Sequence, residues 1–521
     1  MRTRTTHLLG AFFMSAANTH NDVLMLSVSG CRGIVGTSLT PETVSRFAGA
    51  LGTYLVDRHA SAKVKGPVVV VVGRDGRAGG AMIADAAIAS LNAAGVHVVD
   101  TQVAMTPTIG TTVDALGAAG GLVITASHNP QQWNGLKPII PSKPRPARAK
   151  VAADGLLELT VPRASARLGK ADASAPNKAL ADTLIKAFHD GAARRVGWKD
   201  IGSRTVGDLE AMRSHHELAL EAIDNLGILR AIQKKRFGVV LDSVNSSGRE
   251  LTPNFLISEL RCKATLLHCD DSGLFPHTPE PLAENLKGLA ASVRKHKAHA
   301  GFAQDPDADR LALIDEKGRY IGEEYTVVLA ARALAELGAL KPRSTLVVNL
   351  STSRMIEDVA AAFGCRVRRS AVGEANVVET MKSLGSPIGG EGNGGVIWPA
   401  VTYIRDSMSA MGLILGLMAK TGKTLSTLAD EVPVYAIVKR KVEVASRDVA
   451  TRAVEKLAAH YKAAPGVTVD RQDGVWLGFE QQRAWLHVRA SNTEPIMRLI
   501  AEAPTAADAN RLLDQAAGII A

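Results

Sequence analysis

The chain has 521 residues, too many for one hydrophobic core, and its length predicts about three or four domains. Hydrophobic residues make up 46% of it and aromatic residues only 4%, so stacking on bases or sugars is not expected as a main binding mode. The excess of 61 Lys and Arg over 51 Asp and Glu suits an anionic ligand, although solvated helix faces account for it equally well. No Lys/Arg-rich block indicates a nucleic-acid surface.

The N-terminal segment and the cysteines bear on the cellular compartment. "MRTRTTHLLGAFFMSAA" resembles a weak secretory signal, but its apolar patch is short and Met14 offers a second start. We therefore expect residues 1–21 to be an N-terminal extension of a cytoplasmic protein. The four cysteines form no C-x-x-C pair and are expected to be free thiols. No run approaches the ~18 apolar residues of a transmembrane helix, so no membrane partner is expected.

A strand–loop–helix–strand pattern occurs three times along the chain. Its first strand is "VVVVVG" in residues 66–100, "GVVLD" in residues 237–270 and "TLVVN" in residues 344–370. Each of these runs is continuous rather than alternating, which predicts burial on both faces of a parallel sheet. The helix that follows carries apolar residues at helical spacing. The pattern predicts three related α/β domains with mixed, largely parallel sheets.

The segments between the repeats set the expected domain limits. Residues 141–155 and 170–179 read as loops, and the Pro-rich residues 273–286 are expected to lead from the second repeat into the third. The last part of the chain has an alternating strand, two strands around a turn and a final helix, which predicts an α+β domain. The predicted domains are residues 22–195, 196–285, 286–430 and 431–521, with the acidic loop described next falling in the third.

The stretch "DPDADRLALID" has three carboxylates, those of Asp305, Asp307 and Asp309, at alternate positions. They can converge on a hard cation if the backbone turns between them. An EF-hand is disfavoured, because its sixth position needs glycine and is Arg310 here, and "LALID" is typical of a strand. A solvated acidic turn is the plain alternative. Arg310 is placed to orient the carboxylates or to face a phosphate.

Two further loops have residues suited to a ligand. "RASNTEP" in residues 489–495 offers an arginine, hydroxyls, an amide and backbone N–H groups, which are the parts of a phosphate-binding turn. Taken alone, it is better explained as an ordinary hairpin turn, because such residues dominate turns for local reasons. "GGEGNGG" in residues 389–395 allows close backbone approach and presents a carboxylate and an amide, which suit sugar hydroxyls. By itself a glycine-rich loop is a weak signal.

Ser127 lies in "LVITASHNPQQWNGLK", where an apolar run ends in small and polar residues. A serine hydrolase would show G-x-S-x-G, which these flanks lack. The side chain of His128 need not face Ser127, because neighbouring side chains on an extended segment point apart. A phosphorylated Ser127 would carry about −1.5 to −2 charges. Such a group needs a divalent cation, which the acidic loop can supply, and a base, for which Lys137 is available.

Together these stretches resemble the α-D-phosphohexomutase family over residues 25–515. "TASHNP" is similar to the family's phosphoserine loop, "DPDADR" to its metal loop, "GGEGNGG" to its sugar-recognition loop and "RASNTEP" to its phosphate-binding loop. "SGCRGIVG", which contains Arg32, is similar to its N-terminal signature. The resemblance implies four domains around a central cleft, of which the first three are related α/β units and the last is α+β.

The resemblance also implies a role for each matching residue. Ser127 carries the phosphoryl group, and Mg²⁺ is held by the phosphoserine with Asp305, Asp307 and Asp309. Lys137 acts as general acid/base, and Arg32 and Arg310 lie near the transferred phosphoryl group. His128 is a supporting residue whose role is left open. Glu391 and Asn393 bind sugar hydroxyls. The phosphate that is not reacting is gripped by Arg489, Ser491, Asn492 and Thr493.

The implied reaction moves phosphate between two positions of a hexose through a bisphosphorylated sugar, which serves as intermediate and activator, in a monomer or homodimer. Many family members have a serine and a histidine where Asn393 and Gly395 stand, so more of the proton transfer falls to Lys137. This form of the loop is most similar to the phosphoglucosamine mutases and implies interconversion of glucosamine 6-phosphate and glucosamine 1-phosphate. Phosphomannomutase or phosphoglucomutase activity is the first alternative. A non-catalytic sugar-phosphate-binding protein and a serine-dependent phosphatase are the others.

Overall fold

A computed structural model describes residues 24–207, 209–490 and 496–520. The predicted N-terminal extension therefore lies outside the described residues, as do Ser491, Asn492 and Thr493. Within the described ranges, no helix has the length and apolar character to cross a membrane. All four cysteines are free thiols, as predicted.

The structure alternates strands and helices over most of its length. The strands are β1 Met25–Ser27, β2 Gly30–Ile34, β3 Val69–Arg74, β4 His97–Val103, β5 Gly120–Ile124, β6 Trp133–Ile139, β7 Ala149–Val151, β8 Leu157–Leu159, β9 Arg204–Val206, β10 Gly238–Asp242, β11 Lys263–Leu267, β12 Ala300–Gln304, β13 Leu311–Asp315, β14 Thr345–Asn349, β15 Arg366–Ser370, β16 Gly389–Glu391, β17 Gly395–Ile397, β18 Ala436–Glu443, β19 Val467–Asp470, β20 Val475–Phe479, β21 Ala484–Ala490 and β22 Ile496–Ala503. The helices are α1 Pro41–Ser61, α2 Gly80–Ala93, α3 Thr106–Leu116, α4 Ala164–Arg167, α5 Lys178–Asp190, α6 Leu209–Asn225, α7 Leu229–Lys235, α8 Leu251–Asn254, α9 Lys287–His296, α10 Glu324–Glu336, α11 Met355–Ala362, α12 Glu374–Leu384, α13 Ser407–Thr421, α14 Leu425–Asp430, α15 Arg447–Tyr461 and α16 Ala506–Ile520.

The first strand of each repeat is buried on both faces. On β3, Val70 and Val72 pack with α1 and α2, whereas Val69 and Val71 pack with α3 on the opposite face. The strands β10 and β14 alternate in the same way between two hydrophobic clusters. Full burial of a valine stabilises the fold by about 1.5 kcal/mol or more. This two-sided burial explains why the runs are continuously apolar.

The three repeats share one sheet topology. In the first, β3 is parallel to both β4 and β5, and β6 is antiparallel to β5. In the second, β10 is parallel to β11 and β12, and β13 is antiparallel to β12. In the third, β14 is parallel to β15 and β16, and β17 is antiparallel to β16. The predicted fold class, related α/β units with mixed, largely parallel sheets, is confirmed.

Two of the predicted domain limits fall inside a sheet. β9 lies beyond residue 195, yet it pairs with β4 at the edge of the first sheet. β12 and β13 lie beyond residue 285, yet they belong to the second sheet with β10. The Pro-rich residues 273–286, which suggested a domain limit, form the connection from β11 to α9 within the second unit. The acidic loop therefore belongs to the second unit and not to the third.

The C-terminal unit is an antiparallel sheet of order β18-β22-β21-β20-β19, with α15 and α16 packed against it. This is the predicted α+β arrangement. Glu502 on β22 joins it to the third unit, because its carboxylate accepts hydrogen bonds from the hydroxyl of Ser353 and from the backbone N–H of Arg354 at 2.8 Å. The indole of Trp485, on the neighbouring strand β21, also donates to this carboxylate at 2.5 Å.

Candidate active site

The three repeats contribute the same turn, the hairpin between their last two strands, to one site. Each turn contains one residue with positive φ: Ser127 at 51°, Ala308 at 54° and Gly394 at 86°. For the two non-glycine residues this conformation costs of order 1 kcal/mol or more. The third turn contacts the second unit directly, since the backbone N–H of Leu311, the first residue of β13, donates to the carbonyl of Gly394 at 3.0 Å. They comprise residues 125–132, 305–310 and 392–394.

The side chain of Ser127 is buried and points at the acidic loop. Its Oγ donates to Oδ2 of Asp305 at 2.9 Å, across the boundary between the first and second units. Its backbone N–H donates to Oγ1 of Thr125 at 2.9 Å, and its carbonyl accepts from Nη2 of Arg77 at 2.6 Å. Three hydrogen bonds therefore fix the serine in its left-handed conformation.

A buried ion pair braces the serine turn. Asp75 and Arg77 follow β3 in "GRDGR", and their side chains are joined by a 3.0 Å contact between Oδ2 and Nε. Thr125 Oγ1 also donates to Asp75 at 2.7 Å, and Arg77 Nη1 donates to the carbonyl of Pro130 at 3.1 Å. These residues lie outside the motifs that predicted the site, although charged residues directly after an apolar run of valines were a usable signal.

The acidic loop forms a compact carboxylate cluster. Asp305, Asp307 and Asp309 are fully buried, and one oxygen of each lies within 4.8 Å of the others. Among the described residues, Oδ1 of Asp307 and Oδ1 of Asp309 have no hydrogen-bond partner. Burial first, and then the charges of Asp307 and Asp309, raise the pKa of Asp305 well above its usual value. Buried carboxylates with free oxygens at this spacing are suited to a hard divalent cation.

Lys137 on β6 is buried against this cluster. Its Nζ is 3.0 Å from Asp309, 3.9 Å from Asp307 and 3.3 Å from Glu374 at the start of α12. Burial alone would lower the pKa of Lys137, but the charges of Glu374, Asp309 and Asp307 outweigh it and raise the pKa. Lys137 is therefore an ammonium group in this site. The structure thus brings together a serine, a lysine and the three predicted carboxylates.

Arg405, just before α13, connects the acidic loop to the glycine-rich turn. Its Nη2 is 2.6 Å from Oδ2 of Asp309, and its Nη1 is 2.7 Å from Oε2 of Glu391. A side chain built on Gly395 would overlap the Arg405 stem. Arg405 therefore fills the space next to the position where many family members have a histidine. Arg405 could not be predicted as a site residue, because it lies 96 residues from Asp309 and in no recognised motif.

The remaining predicted cationic and imidazole groups flank the cluster. Nε of Arg310 is 3.8 Å from Asp305 and 3.9 Å from Asp309. Arg32 on β2 is partly buried, which lowers its pKa, while the charge of Asp307 opposes that shift. The charge of Arg310, followed by burial, lowers the pKa of His128 to about 2, so this imidazole is neutral. Its Nδ1 is 3.4 Å from Oγ of Ser127.

The two predicted sugar-binding residues differ in how far they are already paired. Glu391 accepts hydrogen bonds from Asn349 at 2.8 Å, from the backbone of Gly373 at 3.2 Å and from Arg405. The side chain of Asn393 accepts only a 3.3 Å bond from a neighbouring backbone amide, among the described contacts. Asn393 is therefore the residue with more free hydrogen-bonding capacity.

Arg489 is the one predicted phosphate-binding residue of residues 489–493 whose side chain the structure describes. It lies near the end of β21, and its Nη1 is 3.3 Å from Oδ2 of Asp473. Its Nε is buried and has no hydrogen-bond partner among the described residues. The guanidinium thus keeps a donor available.

Models of one protein family match this chain in four consecutive segments. They are the phosphoglucomutase/phosphomannomutase alpha/beta/alpha domains I, II and III, at residues 25–153, 219–318 and 322–435, and the C-terminal domain, at residues 438–519. The chain belongs to the phosphoglucomutase/phosphomannomutase family. This confirms the resemblance drawn from the motifs.

Similar proteins in the phosphoglucomutase/phosphomannomutase family match nearly the whole chain. A phosphoglucomutase/phosphomannomutase of Thermococcus kodakarensis is 35% identical, over 93% of this chain and 96% of that one. A probable phosphoglucosamine mutase of Methanopyrus kandleri is 32% identical, over 94% of this chain and 96% of that one. The crystal structure of a family protein from Burkholderia thailandensis has the same fold, with a TM-score of 0.73 and 23% identity over 95% and 98%. The protein is a phosphohexomutase, an isomerase that transfers phosphate within a hexose phosphate.

Proposed function

We propose that this phosphohexomutase interconverts glucosamine 6-phosphate and glucosamine 1-phosphate through a phosphorylated Ser127 and a bisphosphorylated sugar. The observation that carries the serine mechanism is the 2.9 Å contact of Ser127 Oγ with Asp305, at the edge of the buried carboxylate cluster. The left-handed backbone of Ser127 and its hydrogen bonds to Thr125 and Arg77 hold the hydroxyl against this cluster. The lysine and arginine side chains around the cluster supply positive charge for a phosphoryl group.

The carboxylate cluster fits Mg²⁺ by its donor chemistry. Its ligands are oxygens only, they are buried, and two of them have no partner among the described residues. We assign Asp305, Asp307 and Asp309 as the residues that hold the ion. Bound Mg²⁺ would neutralise charge on the phosphoryl group that Ser127 carries, which is the main requirement of phosphoryl transfer.

The protein's own residues then position the groups and move the proton. In each half-reaction the P–O bond to Ser127 breaks while a P–O bond to a sugar hydroxyl forms, the hydroxyl loses its proton and Ser127 Oγ takes one. We assign this exchange to Lys137, which starts as the protonated partner because its neighbours raise its pKa. Arg405 and Glu391 hold the sugar-recognition turn against the acidic loop. Arg489 is assigned to the phosphate that is not reacting.

The choice of sugar rests on the form of residues 391–395 and on similar proteins such as that of Methanopyrus kandleri, which is named for glucosamine phosphate. The alternative, phosphomannomutase or phosphoglucomutase, is favoured by the name of the Thermococcus kodakarensis protein. Coupled assays on the 6-phosphates of glucosamine, mannose and glucose decide between them. We expect the highest kcat/KM for glucosamine 6-phosphate. If mannose 6-phosphate were turned over about tenfold faster than glucosamine 6-phosphate, a difference of ~1.4 kcal/mol in activation free energy, the choice of glucosamine would be contradicted.

The serine mechanism has its own test. Intact mass and phosphopeptide mapping of the active protein should place phosphate on Ser127, and Ser127→Ala should abolish mutase activity. Ser90→Ala on α2, another buried serine, is the matched control and should keep both phosphate and activity. Full activity in Ser127→Ala would refute the mechanism. Release of inorganic phosphate in proportion to substrate loss would instead indicate a phosphatase.

A further inference from the structure

A second cluster of metal-binding side chains lies in the second unit, at the carboxyl ends of β10 and β11. Asp242 ends β10, His268 directly follows β11, and His277 lies in the connection from β11 to α9. The three side chains converge on one atom, because Oδ2 of Asp242 is 2.9 Å from Nδ1 of His268 and 3.2 Å from Nε2 of His277. The donor set is two imidazole nitrogens and one carboxylate.

The ring of His277 is held so that a lone pair faces Asp242. Its Nδ1 is 2.8 Å from the carbonyl of Thr278, which can only accept, so Nδ1 carries the proton. In the neutral imidazole, Nε2 then points a lone pair at the carboxylate oxygen of Asp242. Two acceptors face each other unless a proton or a cation lies between them. Metal-binding histidines characteristically donate their other N–H to a backbone carbonyl, as His277 does.

The distances and exposure suit an ion. Tetrahedral metal–ligand bonds of ~2.0–2.1 Å place neighbouring ligand atoms about 3.3–3.4 Å apart, so an ion would need the 2.9 and 3.2 Å separations of this cluster to widen by only a few tenths of an ångström. The side chain of Asp242 is only 2% exposed, whereas those of His268 and His277 are 34% and 19% exposed. One side of the cluster is therefore open for entry of an ion and for a water ligand.

The backbone around the cluster is held in an uncommon conformation. Val244, Asn245 and His268 all have positive φ, between 47° and 53°, which is strained for a β-branched residue such as Val244. The N–H of Val244 donates to Oδ1 of Asp242 at 3.0 Å, and the N–H of Asn245 donates to the carbonyl of His268 at 2.6 Å. Strain of this kind is typical of functional sites.

We propose that Asp242, His268 and His277 bind a divalent cation of the Zn²⁺ type. Imidazole nitrogen with one carboxylate is a donor set that Zn²⁺ favours, whereas Mg²⁺ favours oxygen ligands such as those of the acidic loop. The neighbouring thiol of Cys269 is not a ligand, because its Sγ donates to the carbonyl of Leu267 at 3.2 Å. The two clusters of the second unit are thus selective for different metals.

A bound ion would brace the loops that support catalysis. The loop that contains His277 contacts the serine turn, because Gln131 donates to the carbonyl of Gly273 at 3.0 Å and accepts from the backbone N–H of Phe275 at 2.9 Å. The loop after Asp242 contacts the acidic loop, because Ser246 Oγ donates to the carbonyl of Pro306 at 2.7 Å. The proposed site is therefore connected to both the serine turn and the acidic loop. This holds whichever hexose is the substrate.

The test is a Zn²⁺ titration of the metal-stripped, full-length protein against a chromophoric chelator, in excess Mg²⁺ to occupy the acidic loop. We expect one Zn²⁺ per chain, and none after His268→Ala or His277→Ala. His296→Ala, an exposed histidine at the end of α9 in the same unit, is the matched control and should keep the ion. Asp242→Asn provides a variant of nearly unchanged shape, which should also lose the ion. X-ray absorption of the bound zinc should show nitrogen and oxygen ligands and no sulfur.

Three outcomes would overturn the proposal. They are no Zn²⁺ bound by the unaltered protein in Mg²⁺, Zn²⁺ retained by both histidine variants, or Zn²⁺ lost on Asp307→Ala instead. In the first case His277 pairs with Asp242 as an imidazolium. Hydrogen exchange of residues 268–280 gives a second readout, which should slow on addition of Zn²⁺ in the unaltered protein only.

Discussion

The hairpin turns of the second and third units occupy the same place in the same topology, but their charges are arranged in opposite ways. The acidic loop keeps two buried carboxylate oxygens without a partner among the described residues. Beside the glycine-rich turn, both oxygens of Glu391 are occupied by hydrogen bonds from Asn349, Gly373 and Arg405. A repeated scaffold thus supplies a turn with free carboxylate oxygens in one unit and a turn whose carboxylate is fully hydrogen-bonded in the next.

The difference shows where each turn contributes to function. Buried carboxylate oxygens without a partner destabilise a fold, so the two free oxygens of the acidic loop favour a bound cation, although Lys137 and Arg405 already pair with the other oxygen of Asp309. A satisfied carboxylate stabilises the turn without a ligand and leaves recognition to its neighbours, such as Asn393. Arg405 bridges the two turns, because its Nη2 donates a hydrogen bond to Asp309 and its Nη1 donates one to Glu391.

The largest expected effect is loss of the cation site. Asp307→Ala should lower kcat/KM about 10³-fold or more, because several kcal/mol of charge neutralisation in the transition state are lost. Its melting temperature should change little, since the lost bond from Thr106 is offset by weaker repulsion within the cluster. Asp271→Ala, an exposed acidic residue of the same unit, should leave both unchanged. Strong destabilisation with activity retained would identify the loop as a structural turn.

Close packing of the third-unit turn is tested by Gly394→Ala. A Cβ there would lie 2.5 Å from the carbonyl oxygen of Leu311, and φ is 86°. We therefore expect the free energy of unfolding to fall by about 2–3 kcal/mol and the KM for the substrate to rise. Gly385→Ala is the matched control, because φ is 60° but nothing lies within 4 Å of its Cβ. The control should lose only about 1 kcal/mol, the left-handed penalty alone. Equal losses in urea denaturation would show that the contact with Leu311 is unimportant.

The bridge between the two turns is tested by Arg405→Lys. One ammonium cannot reproduce both guanidinium contacts, and a hydrogen bond to a charged group is worth about 1.5–3 kcal/mol, so kcat/KM should fall about 10- to 100-fold. Arg332→Lys is the control. Arg332 lies on α10 and pairs at 2.6 Å with Glu431, whose side chain is 35% exposed. Its kinetics should match those of the unaltered protein. If both variants were fully active, Arg405 would have only a packing role.

The sequence predicted the features that local patterns determine. The three βαβ units followed from the continuous apolar runs, and the acidic loop, Ser127 and Lys137 were identified because their residues lie in short, recognisable motifs. Arg77 and Arg405 were missed because their partners are distant in the chain, 50 residues away for Ser127 and 96 for Asp309. Such pairings depend on tertiary packing, which periodicity does not encode.

The domain limits were less predictable for a related reason. β9 has only three residues and joins the first sheet after a long excursion through α3 to α5, so no local pattern indicated its partner. Proline content marked residues 273–286 as a connection, but it could not show that β12 and β13 return to the same sheet. The catalytic roles assigned to individual residues stay predictions, which the variants described here test.

The last expected effect is on stability alone and concerns a carboxyl group that packs against the glycine-rich turn. The Glu324 carboxylate lies where a side chain on Gly392 would be, and it accepts from the backbone N–H of Ser353 at 2.9 Å. Burial raises the pKa of Glu324 to about 8 from its ordinary 4.5, although the Ser353 N–H opposes the shift. The folded protein therefore binds this proton more tightly than the unfolded chain does.

The contribution of Glu324 to the free energy of unfolding should consequently fall as pH rises from 4.5 to about 8, because in this range Glu324 ionises in the unfolded chain but not in the folded protein. Glu324→Gln replaces the titrating carboxyl group with an amide that keeps a hydrogen-bond acceptor. The melting temperature of this variant, relative to that of the unaltered protein, should therefore rise across the same pH range. Glu158→Gln, at an exposed position, should give a constant difference. A constant difference for Glu324→Gln as well would mean that Glu324 is ionised at neutral pH. The third-unit turn would then be charged like the second, and the contrast between the two turns would be lost.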